Sequence, residues 1–270
     1  MDKMHRIALI AGSGKFPILL ARAAKDNGIE VIVIAINSAA EKSIEKIADK
    51  IYWVNIGQAK KLIDILLKEE IRYAIMAGKV NKAIIIKQAL TLDKEARGLL
   101  KRIADKRDDT ILLSVANRLK DFGVELIDST FFLKDLMPGK GVLTKRRPNR
   151  QELEDIKFGF SIAKDMGALD IGQSVIVKQK AVIAVEAIEG TDSAIRRAGM
   201  LAGKGTVVVK VSKPKQDMRF DVPVVGIETL KALKDAGSSV LAIEAGKVLV
   251  LEKEPLVTRA EKAGLSIVAV

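Results

Sequence analysis

Apolar runs alternate with stretches of helical periodicity along the first half of the chain. The first run covers residues 6–11, and residues 16–25 then carry apolar side chains at the spacing of an amphipathic helix. Further runs typical of strands occupy residues 30–36, 51–54, 73–77 and 124–127. Strands that are apolar throughout and separated by helices indicate a parallel, doubly wound sheet with both faces covered. We therefore predict an α/β fold with a Rossmann-like N-terminal domain over residues 1–135.

The pattern changes over residues 136–150, where glycine, proline and basic residues replace the apolar periodicity and predict a linker. A helix is expected around residues 153–163, and short strands follow it. These strands occupy residues 174–177, 181–185, 206–211, 240–243 and 248–251. The sequence Glu-Ala-Gly-Lys at residues 244–247 predicts a hairpin between the last two strands. Residues 151–270 thus form a predicted second domain of mixed α/β type.

Composition limits the chemistry that the chain can perform. It has 270 residues, 49% of them hydrophobic, with no apolar run near the roughly 18 residues that a membrane-spanning helix needs. No secretory leader is visible, so we expect a soluble, cytoplasmic protein. The chain has no cysteine and a single histidine, His5, which excludes thiol nucleophiles, cysteine metal sites and histidine triads. Hydrolytic chemistry would have to rely on carboxylates, lysines and an oxygen-binding metal.

The net charge of +12 predicts an anionic partner. A phosphorylated metabolite, a nucleic acid and an acidic membrane surface are the candidates. Two tyrosines, one tryptophan and seven phenylalanines offer few platforms for stacking bases, and the sequence has no nucleic-acid recognition motif. We therefore expect a phosphorylated small molecule or lipid, and no nucleic-acid partner.

A glycine turn follows the first predicted strand. Two glycines allow the backbone to approach an anion, and the next helix would present free N–H groups to it. The turn satisfies neither the dinucleotide-binding pattern, because Pro17 replaces the third glycine, nor the P-loop pattern. The second strand ends at Asn37 rather than at the acid that binds the ribose of NAD. An alternative is that the turn only tightens strand–helix packing. The turn consists of Gly12, Ser13, Gly14 and Lys15.

Gly78 and Lys79 follow the fourth predicted strand. The carboxyl ends of parallel strands meet at one edge of a sheet, which is where ligands bind in α/β proteins. We therefore expect Lys79 to lie beside the first glycine turn.

An acidic turn joins the strand at residues 181–185 to a helix predicted at residues 194–201. It combines three carboxylates and a glycine with two arginines, which are groups that bind divalent metals and phosphate. The alternative is a solvated turn in which Asp192 pairs with Arg196 one helical turn later. The residues of interest are Glu186, Glu189, Gly190, Thr191, Asp192, Arg196 and Arg197.

A third charged segment spans residues 213–223. If it is extended, the charged residues at positions 213, 215, 217, 219 and 221 share one face. Pro214 and Pro223 keep it out of the middle of a sheet, so it is either a solvated edge or the lining of a cleft. Its candidate functional residues are Lys213, Gln216, Asp217, Arg219 and Asp221.

Taken in order, these motifs closely resemble those of the LpxI-type UDP-2,3-diacylglucosamine pyrophosphatases. The most specific blocks are Glu-Ala-Ile-Glu-Gly-Thr-Asp at residues 186–192 and Lys-Pro-Lys-Gln-Asp at residues 213–217. The Gly-x-Gly-x-x-Pro turn, Gly-Lys-Val at residues 78–80 and Arg-Arg-Ala-Gly at residues 196–199 extend the resemblance over essentially the whole chain.

The resemblance implies a two-domain hydrolase of lipid A biosynthesis that depends on Mg²⁺, with Mn²⁺ as an alternative ion. It would cleave the pyrophosphate of UDP-2,3-diacylglucosamine to give UMP and 2,3-diacylglucosamine 1-phosphate, known as lipid X. A catalytic C-terminal domain, a homodimer and transient contact with the inner-membrane surface are implied in the same way.

The resemblance also implies roles for individual residues. Asp221 matches the aspartate on which turnover depends in this family, and Glu189 and Asp192 join it as candidate catalytic residues. The candidate metal ligands are Glu186, Glu189 and Asp221. The sequence leaves open which carboxylate binds the metal and which orients water. The candidate substrate-binding residues are Gly12, Ser13, Gly14, Lys15, Gly78, Lys79, Gly190, Thr191, Arg196, Arg197, Lys213, Gln216, Asp217 and Arg219.

Two other functions remain open from the sequence. The Rossmann-like half would suit a nicotinamide-dependent oxidoreductase, although the missing third glycine and ribose-binding acid argue against one. The charge of +12 would suit a non-catalytic RNA- or membrane-binding module, whose binding would fall steeply with salt and need no metal.

Overall fold

The computed structural model describes residues 4–80, 92–101 and 108–270, which divide into two compact units. The first unit contains Met1–Phe132 and Met218–Phe220, and the second contains Leu133–Asp217 and Asp221–Val270. Each unit has its own sheet and its own core. The chain therefore passes into the second unit at residue 133 and returns to the first for three residues around position 219.

The first unit is built on a parallel sheet. Its strands are β1 (Arg6–Ala11), β2 (Glu30–Ile36), β3 (Lys50–Val54), β4 (Tyr73–Ala77) and β5 (Glu125–Leu126). They lie in the order β3-β2-β1-β4-β5, and every neighbouring pair is parallel. The described helices are α1 (Lys15–Asp26), α2 (Ala59–Lys68), α3 (Lys94–Lys101) and α4 (Asp108–Asp121). The parallel sheet predicted for this half is confirmed.

The two central strands of this sheet are apolar because both of their faces are covered. Ile7 and Leu9 of β1, and Ile32 and Ile34 of β2, are fully shielded from solvent. Burying one such side chain contributes about 1.5–3 kcal/mol. This core holds the carboxyl ends of the strands, where the glycine turn begins.

The second unit is built on a mixed sheet of six strands. These are β6 (Gly141–Val142), β7 (Ser174–Lys178), β8 (Ala181–Val185), β9 (Val207–Lys210), β11 (Val240–Ile243) and β13 (Ser266–Ala269), while β10 (Val224–Val225) and β12 (Leu249–Val250) form a separate parallel pair. The order is β6-β13-β11-β9-β7-β8, in which the pairs β13–β11 and β11–β9 are parallel and the pairs β6–β13, β9–β7 and β7–β8 are antiparallel. The helices are α5 (Arg150–Ala168), α6 (Thr191–Ala202), α7 (Ile227–Asp235) and α8 (Lys253–Lys262). The predicted mixed α/β architecture is confirmed.

A tight hairpin joins β7 to β8. Gln179 and Lys180 have φ values of +50° and +57°, and their N–H groups donate to the Asp155 carboxylate at 2.9 and 2.6 Å. The hairpin predicted at residues 244–247 is wrong. β11 pairs with β9 and β13, whereas β12 pairs with β10 in a different sheet. A hairpin would need β11 and β12 to pair with each other in antiparallel orientation, but each of these buried strands pairs in parallel with strands that are not adjacent to it in sequence.

The residues predicted as a linker, 136–150, contribute to the second unit. Gly141 and Val142 form β6, which pairs with β13. Arg146 forms an ion pair of 2.6 Å with Glu152, and the Asn149 side chain caps α5 by accepting the Glu152 N–H. These partners lie far along the chain or depend on side-chain contacts, so local periodicity does not reveal them.

The helices of the described ranges are short or charged. The longest, α5, has 19 residues and carries acidic and basic side chains along its length. None of them is long and apolar enough to span a bilayer.

Candidate functional site

Two loops of the first unit meet at the carboxyl edge of its sheet. The Gly12 N–H donates to the carbonyl of Ala77 (2.8 Å), and Ser13 and Lys79 exchange backbone hydrogen bonds of 2.8 and 3.2 Å. The Ser13 hydroxyl also donates to the Lys79 carbonyl (2.9 Å). Lys79 therefore lies beside the first glycine turn, as predicted.

This close approach requires glycine in both loops. A Cβ atom on Gly12 would lie 2.7 Å from the Lys79 carbonyl oxygen, and one on Gly78 would lie 2.6 Å from that of Ser13. Gly78 also has a φ of +88°, and Gly14, at +90°, precedes α1 without a side-chain cap. The preceding residue therefore supplies no side-chain cap at the N-terminus of α1, a type of helix end at which anions bind.

One edge of the second sheet gathers the ends of several strands. Ser174 at the start of β7 pairs with Lys210 at the end of β9, and Lys210 pairs with Ile243 at the end of β11. Val185 at the end of β8 pairs with Val175 of β7. The acidic turn after β8 and the charged segment after β9 therefore leave the sheet at the same edge, where α/β proteins bind ligands.

Glu186, the first carboxylate of the acidic turn, is held in a polar cluster. Its Oε1 accepts a hydrogen bond of 2.7 Å from the Thr191 hydroxyl, whose oxygen accepts one of 2.7 Å from the Lys210 ammonium. Burial alone would raise the pKa of Glu186, but the charge of Lys210 and the hydrogen bond from Thr191 lower it below its usual value. Glu186 is therefore ionised at neutral pH.

Glu189 points to a different cation. Its carboxylate forms an ion pair of 2.6 Å with Arg197, which also donates to the Val185 carbonyl (2.9 Å). Hydrogen bonds from its own backbone N–H and from Arg197 lower the pKa of Glu189. The pair ties the acidic turn to the second turn of the helix that follows.

Asp192 and Arg196 do not form the ion pair considered as an alternative, and neither makes one with any residue in the described ranges. Arg196 is exposed on α6, and Asp192 is partly buried in its first turn. Gly190 precedes the helix with a φ of +81° and provides no side-chain cap. The first N–H groups of α6 and the Arg196 guanidinium are thus positioned to bind an anion.

The segment at residues 213–223 consists of turns and is not extended. The Gln216 N–H donates to the Lys213 carbonyl (3.0 Å). The Gln216 side-chain oxygen accepts a hydrogen bond from the Lys213 N–H (3.2 Å), and its side-chain nitrogen donates one to the Asp221 carbonyl. The Lys213 ammonium lies 2.6 Å from Asp170 and 3.7 Å from Asp221. The row of charges on one face that an extended strand would give is not formed, because Gln216 folds the segment back on itself.

Three residues near the end of this segment pack in the first unit. The Ser129 N–H donates to the Met218 carbonyl (2.9 Å), and the Ser129 hydroxyl lies 2.6 and 2.8 Å from the carbonyl oxygens of Met76 and Arg219. The Arg219 guanidinium lies 5.0 Å from the centre of the Phe220 ring, which packs against the core. Buried Ser129 therefore fixes the backbone just before Asp221.

Comparison with known proteins places both halves of the chain in one family. Residues 6–136 match the LpxI N-terminal domain, and residues 139–268 match the LpxI C-terminal domain. The chain belongs to the LpxI family. A relative from Caulobacter vibrioides, the UDP-2,3-diacylglucosamine pyrophosphatase LpxI, is 32% identical in an alignment that covers 99% of this chain and 98% of the relative.

Two solved structures of other proteins have distant similarity to this chain. A UDP-glucose 4-epimerase from Thermotoga maritima is 16% identical with a TM-score of 0.30, over 54% of this chain and 42% of the epimerase. A phosphoribosylglycinamide synthetase from Anaerococcus prevotii is 16% identical with a TM-score of 0.27, over 70% of this chain and 34% of the synthetase. Similarity this low carries no inference about function.

The candidate metal ligands of this LpxI family member, Glu186, Glu189 and Asp221, do not share one site. In the described part of the chain, no three acidic or histidine side chains lie close enough together to hold a metal ion. Each of the three carboxylates faces a lysine or arginine instead, at 2.6 Å for Glu189 and 3.7 Å for Asp221. Glu186 Oε2 is shielded from solvent and accepts no hydrogen bond from a described residue. This arrangement does not fit a metal ion bound jointly by all three.

Three positioning contacts were not among the sequence-based candidates. Lys210 is the one charged residue in the apolar run at 206–211, and that interruption was the available signal. Ser129 and Asp170 have no comparable signal, because their partners are distant in sequence.

The candidate residue Asp217 is partly buried at the point where the chain leaves the second unit.

Proposed function

We propose that the protein hydrolyses the pyrophosphate of UDP-2,3-diacylglucosamine to UMP and 2,3-diacylglucosamine 1-phosphate, a step of lipid A biosynthesis. The observation that carries this proposal is the 32% identity to the Caulobacter vibrioides pyrophosphatase over 99% of the chain. The sheet edge that bears both specific sequence blocks supports it.

The pyrophosphate would bind at the positive groups of that edge. The first N–H groups of α6 and the exposed guanidinium of Arg196 can each contact phosphate oxygens. Lys213, held by Asp170, presents an ammonium beside Asp221. Fixed positive groups of this kind stabilise the charge that develops on a leaving phosphate.

Asp221 is the candidate general base. Its side chain is 50% exposed, and its backbone is held by the Gln216 amide. A water molecule bound by Asp221 would attack one phosphorus and form a P–O bond as the bridging P–O bond breaks. Asp221 takes the proton of that water, and the leaving phosphate departs with the bonding electron pair.

The glycine turn of the first unit is a further anion-binding element. Gly12, Ser13 and Gly14 lead into the N-terminus of α1, and the side chains of Lys15 and Lys79 are exposed beside it. We assign these residues, with Gly78, to a phosphate or sugar of the substrate. Asn37, directly after β2, is not the acid that a nicotinamide site would use, so an oxidoreductase is not favoured.

The products give the first test. Purified protein is incubated with UDP-2,3-diacylglucosamine and followed by ³¹P NMR, and the expected result is loss of the pyrophosphate signals with equal growth of UMP and lipid phosphate signals. Persistence of the pyrophosphate signals with correctly folded protein would overturn the proposal. UDP-glucose serves as a control, because it has the same pyrophosphate without the acyl chains.

Three properties implied by the resemblance stay predictions. Activity lost in EDTA and regained with Mg²⁺ or Mn²⁺ would support a metal requirement, and full activity in EDTA would contradict it. Light scattering tests for a homodimer. Flotation with vesicles of acidic lipid tests for contact with the membrane surface.

A further inference from the structure

A buried lysine lies beneath the acidic turn. Lys210 ends β9, follows three fully buried valines and is itself 5% exposed. Burying an ammonium is costly unless its charge and its hydrogen bonds are satisfied. Its Nζ donates to the Thr191 hydroxyl at 2.7 Å. Packing alone does not explain a lysine here, since a fourth valine or a methionine would continue the apolar strand.

The donors and acceptors of this cluster fix its direction. Lys210 has only donors, so the Thr191 oxygen must accept from it. The single hydroxyl hydrogen of Thr191 is then directed to Glu186 Oε1, at 2.7 Å. Glu186 begins the acidic turn and Thr191 is the first residue of α6. One ammonium thereby fixes both ends of the turn.

We propose that Lys210 is a positioning residue for the proposed hydrolysis, which it serves by holding Thr191 and, through it, Glu186. The inference rests on the proposed function, since Lys210 is inferred to maintain the geometry that the turn at residues 186–192 needs for that reaction. Without Lys210, the Thr191 hydroxyl loses its short charged donor at 2.7 Å and keeps only the Ser174 hydroxyl, at 3.4 Å, as another hydrogen-bond partner beside Glu186, and the Glu186 carboxylate loses its nearby positive charge. The turn and the first N–H groups of α6 would then lose their fixed positions.

The chain offers a matched control at the other end of the same helix. Lys178, the last residue of β7, donates from its Nζ to the carbonyl oxygens of Ala202 and Lys204, both at 2.8 Å. It therefore ties the C-terminal end of α6 to the sheet, as Lys210 ties the N-terminal end. A general loss of helix docking should follow from either substitution, but only Lys210 contacts the acidic turn.

The test compares Lys210→Met, Lys178→Met, Thr191→Val and the Lys210→Met/Thr191→Val double variant. Lys210→Met should lower kcat about tenfold to a hundredfold, as misplaced reacting groups do, with KM nearly unchanged. If Lys210 acts through the Thr191 hydroxyl, the double variant should be no slower than the slower single variant. Thr191→Ser keeps the hydroxyl and should retain most of the activity. Lys178→Met should change stability in urea without a selective loss of kcat.

Hydrogen exchange provides a readout that does not need turnover. In Lys210→Met the amides of residues 186–192 should exchange faster than in wild type, while those at the C-terminal end of α6 stay protected. The proposal would be overturned by additive losses of kcat in the double variant, by a wild-type kcat in Lys210→Met, or by unchanged hydrogen exchange in the turn. If Lys210→Met does not fold, the Thr191→Val and Thr191→Ser pair decides, because equal loss in both rules out the hydroxyl. A wild-type protein that releases no UMP would defeat the proposed function instead.

Discussion

Replacing Gly78 with alanine tests the joined loops of the first unit. Gly78 has a φ of +88°, and a Cβ atom there would lie 2.6 Å from the Ser13 carbonyl oxygen and 2.9 Å from Cγ of Pro17. A non-glycine residue in the left-handed region costs about 1–2 kcal/mol. The contact with Ser13 is with backbone, so it cannot be relieved by a side-chain rotation, and the two loops must separate.

The hydrogen bonds between the loops determine the rest of the destabilisation that Gly78→Ala should cause. Three backbone bonds link Gly12 and Ser13 to Ala77 and Lys79. Losing one or two of them would cost about 0.5–1.5 kcal/mol each. The Gly78→Ala variant should therefore be less stable than wild type by roughly 2–4 kcal/mol.

Gly28→Ala is the matched control for this measurement. Gly28 has a φ of +74°, but a Cβ atom there meets nothing within 4 Å. Both substitutions impose positive-φ strain and restrict the unfolded chain equally, so their difference isolates the close approach of the loops. Urea unfolding of both variants and of wild type measures that difference. Equal destabilisation by the two substitutions would refute the reasoning.

Three further outcomes follow from contacts elsewhere. Ser129→Ala should cost about 1–3 kcal/mol in urea unfolding, because it removes from the interior the one hydroxyl donor that the carbonyl groups of Met76 and Arg219 share. A smaller effect than that of exposed Ser193→Ala would contradict the anchoring role. Glu189→Gln should change stability by less than about 1 kcal/mol, since the ion pair of Glu189 with Arg197 is partly exposed. The same substitution should slow UMP release about tenfold or more. Unchanged UMP release would show that Glu189 is a surface acid without a role in the reaction. Burial alone would raise the pKa of Asp49, but hydrogen bonds from Lys25 and from the Val31 N–H lower it. The ionised Asp49 carboxylate therefore stabilises the folded protein fully above its unfolded pKa of about 3.9. This stabilisation is lost as the pH falls through the lower pKa of the folded state. The stability difference between wild type and Asp49→Asn should shrink accordingly in acid, and a constant difference would contradict this account.

Much of the first unit could be predicted from sequence because its strands are apolar on both faces. The predicted β2 and β4 coincide with Glu30–Ile36 and Tyr73–Ala77. The position of Lys79 follows from the rule that parallel strands end at one edge. Local pattern was sufficient there, because burial on both faces leaves a continuous apolar run.

Strand pairing in the second unit depends on partners that are distant in sequence. Two buried strands separated by a glycine turn give the same pattern whether they form a hairpin or belong to different sheets, as β11 and β12 do. The charged segment after β9 was also ambiguous. Its shape depends on the Gln216 amide and on the anchoring of Met218 by Ser129, which no periodicity encodes.

The site was located by its motifs, but the contacts of its carboxylates were not. The sequence placed Glu186 and Glu189 in one turn. It could not show that Lys210 approaches the first and Arg197 the second. Spacing identifies which charges are available, whereas their pairing requires the fold.

UMP release by Asp221→Asn at saturating substrate tests the central claim most directly. Asp170→Asn is the control, because Asp170 is the other carboxylate on Lys213, the amide oxygen of asparagine can still accept a hydrogen bond from the Lys213 ammonium and keep it in place, and the φ of +57° suits asparagine. Asp221→Asn should retain the wild-type unfolding transition and lose turnover by about a hundredfold or more, while Asp170→Asn stays within a few-fold of wild type. Turnover by Asp221→Asn close to that of wild type, or equal losses in both variants, would contradict the assignment of Asp221 as the base of a UDP-2,3-diacylglucosamine pyrophosphatase.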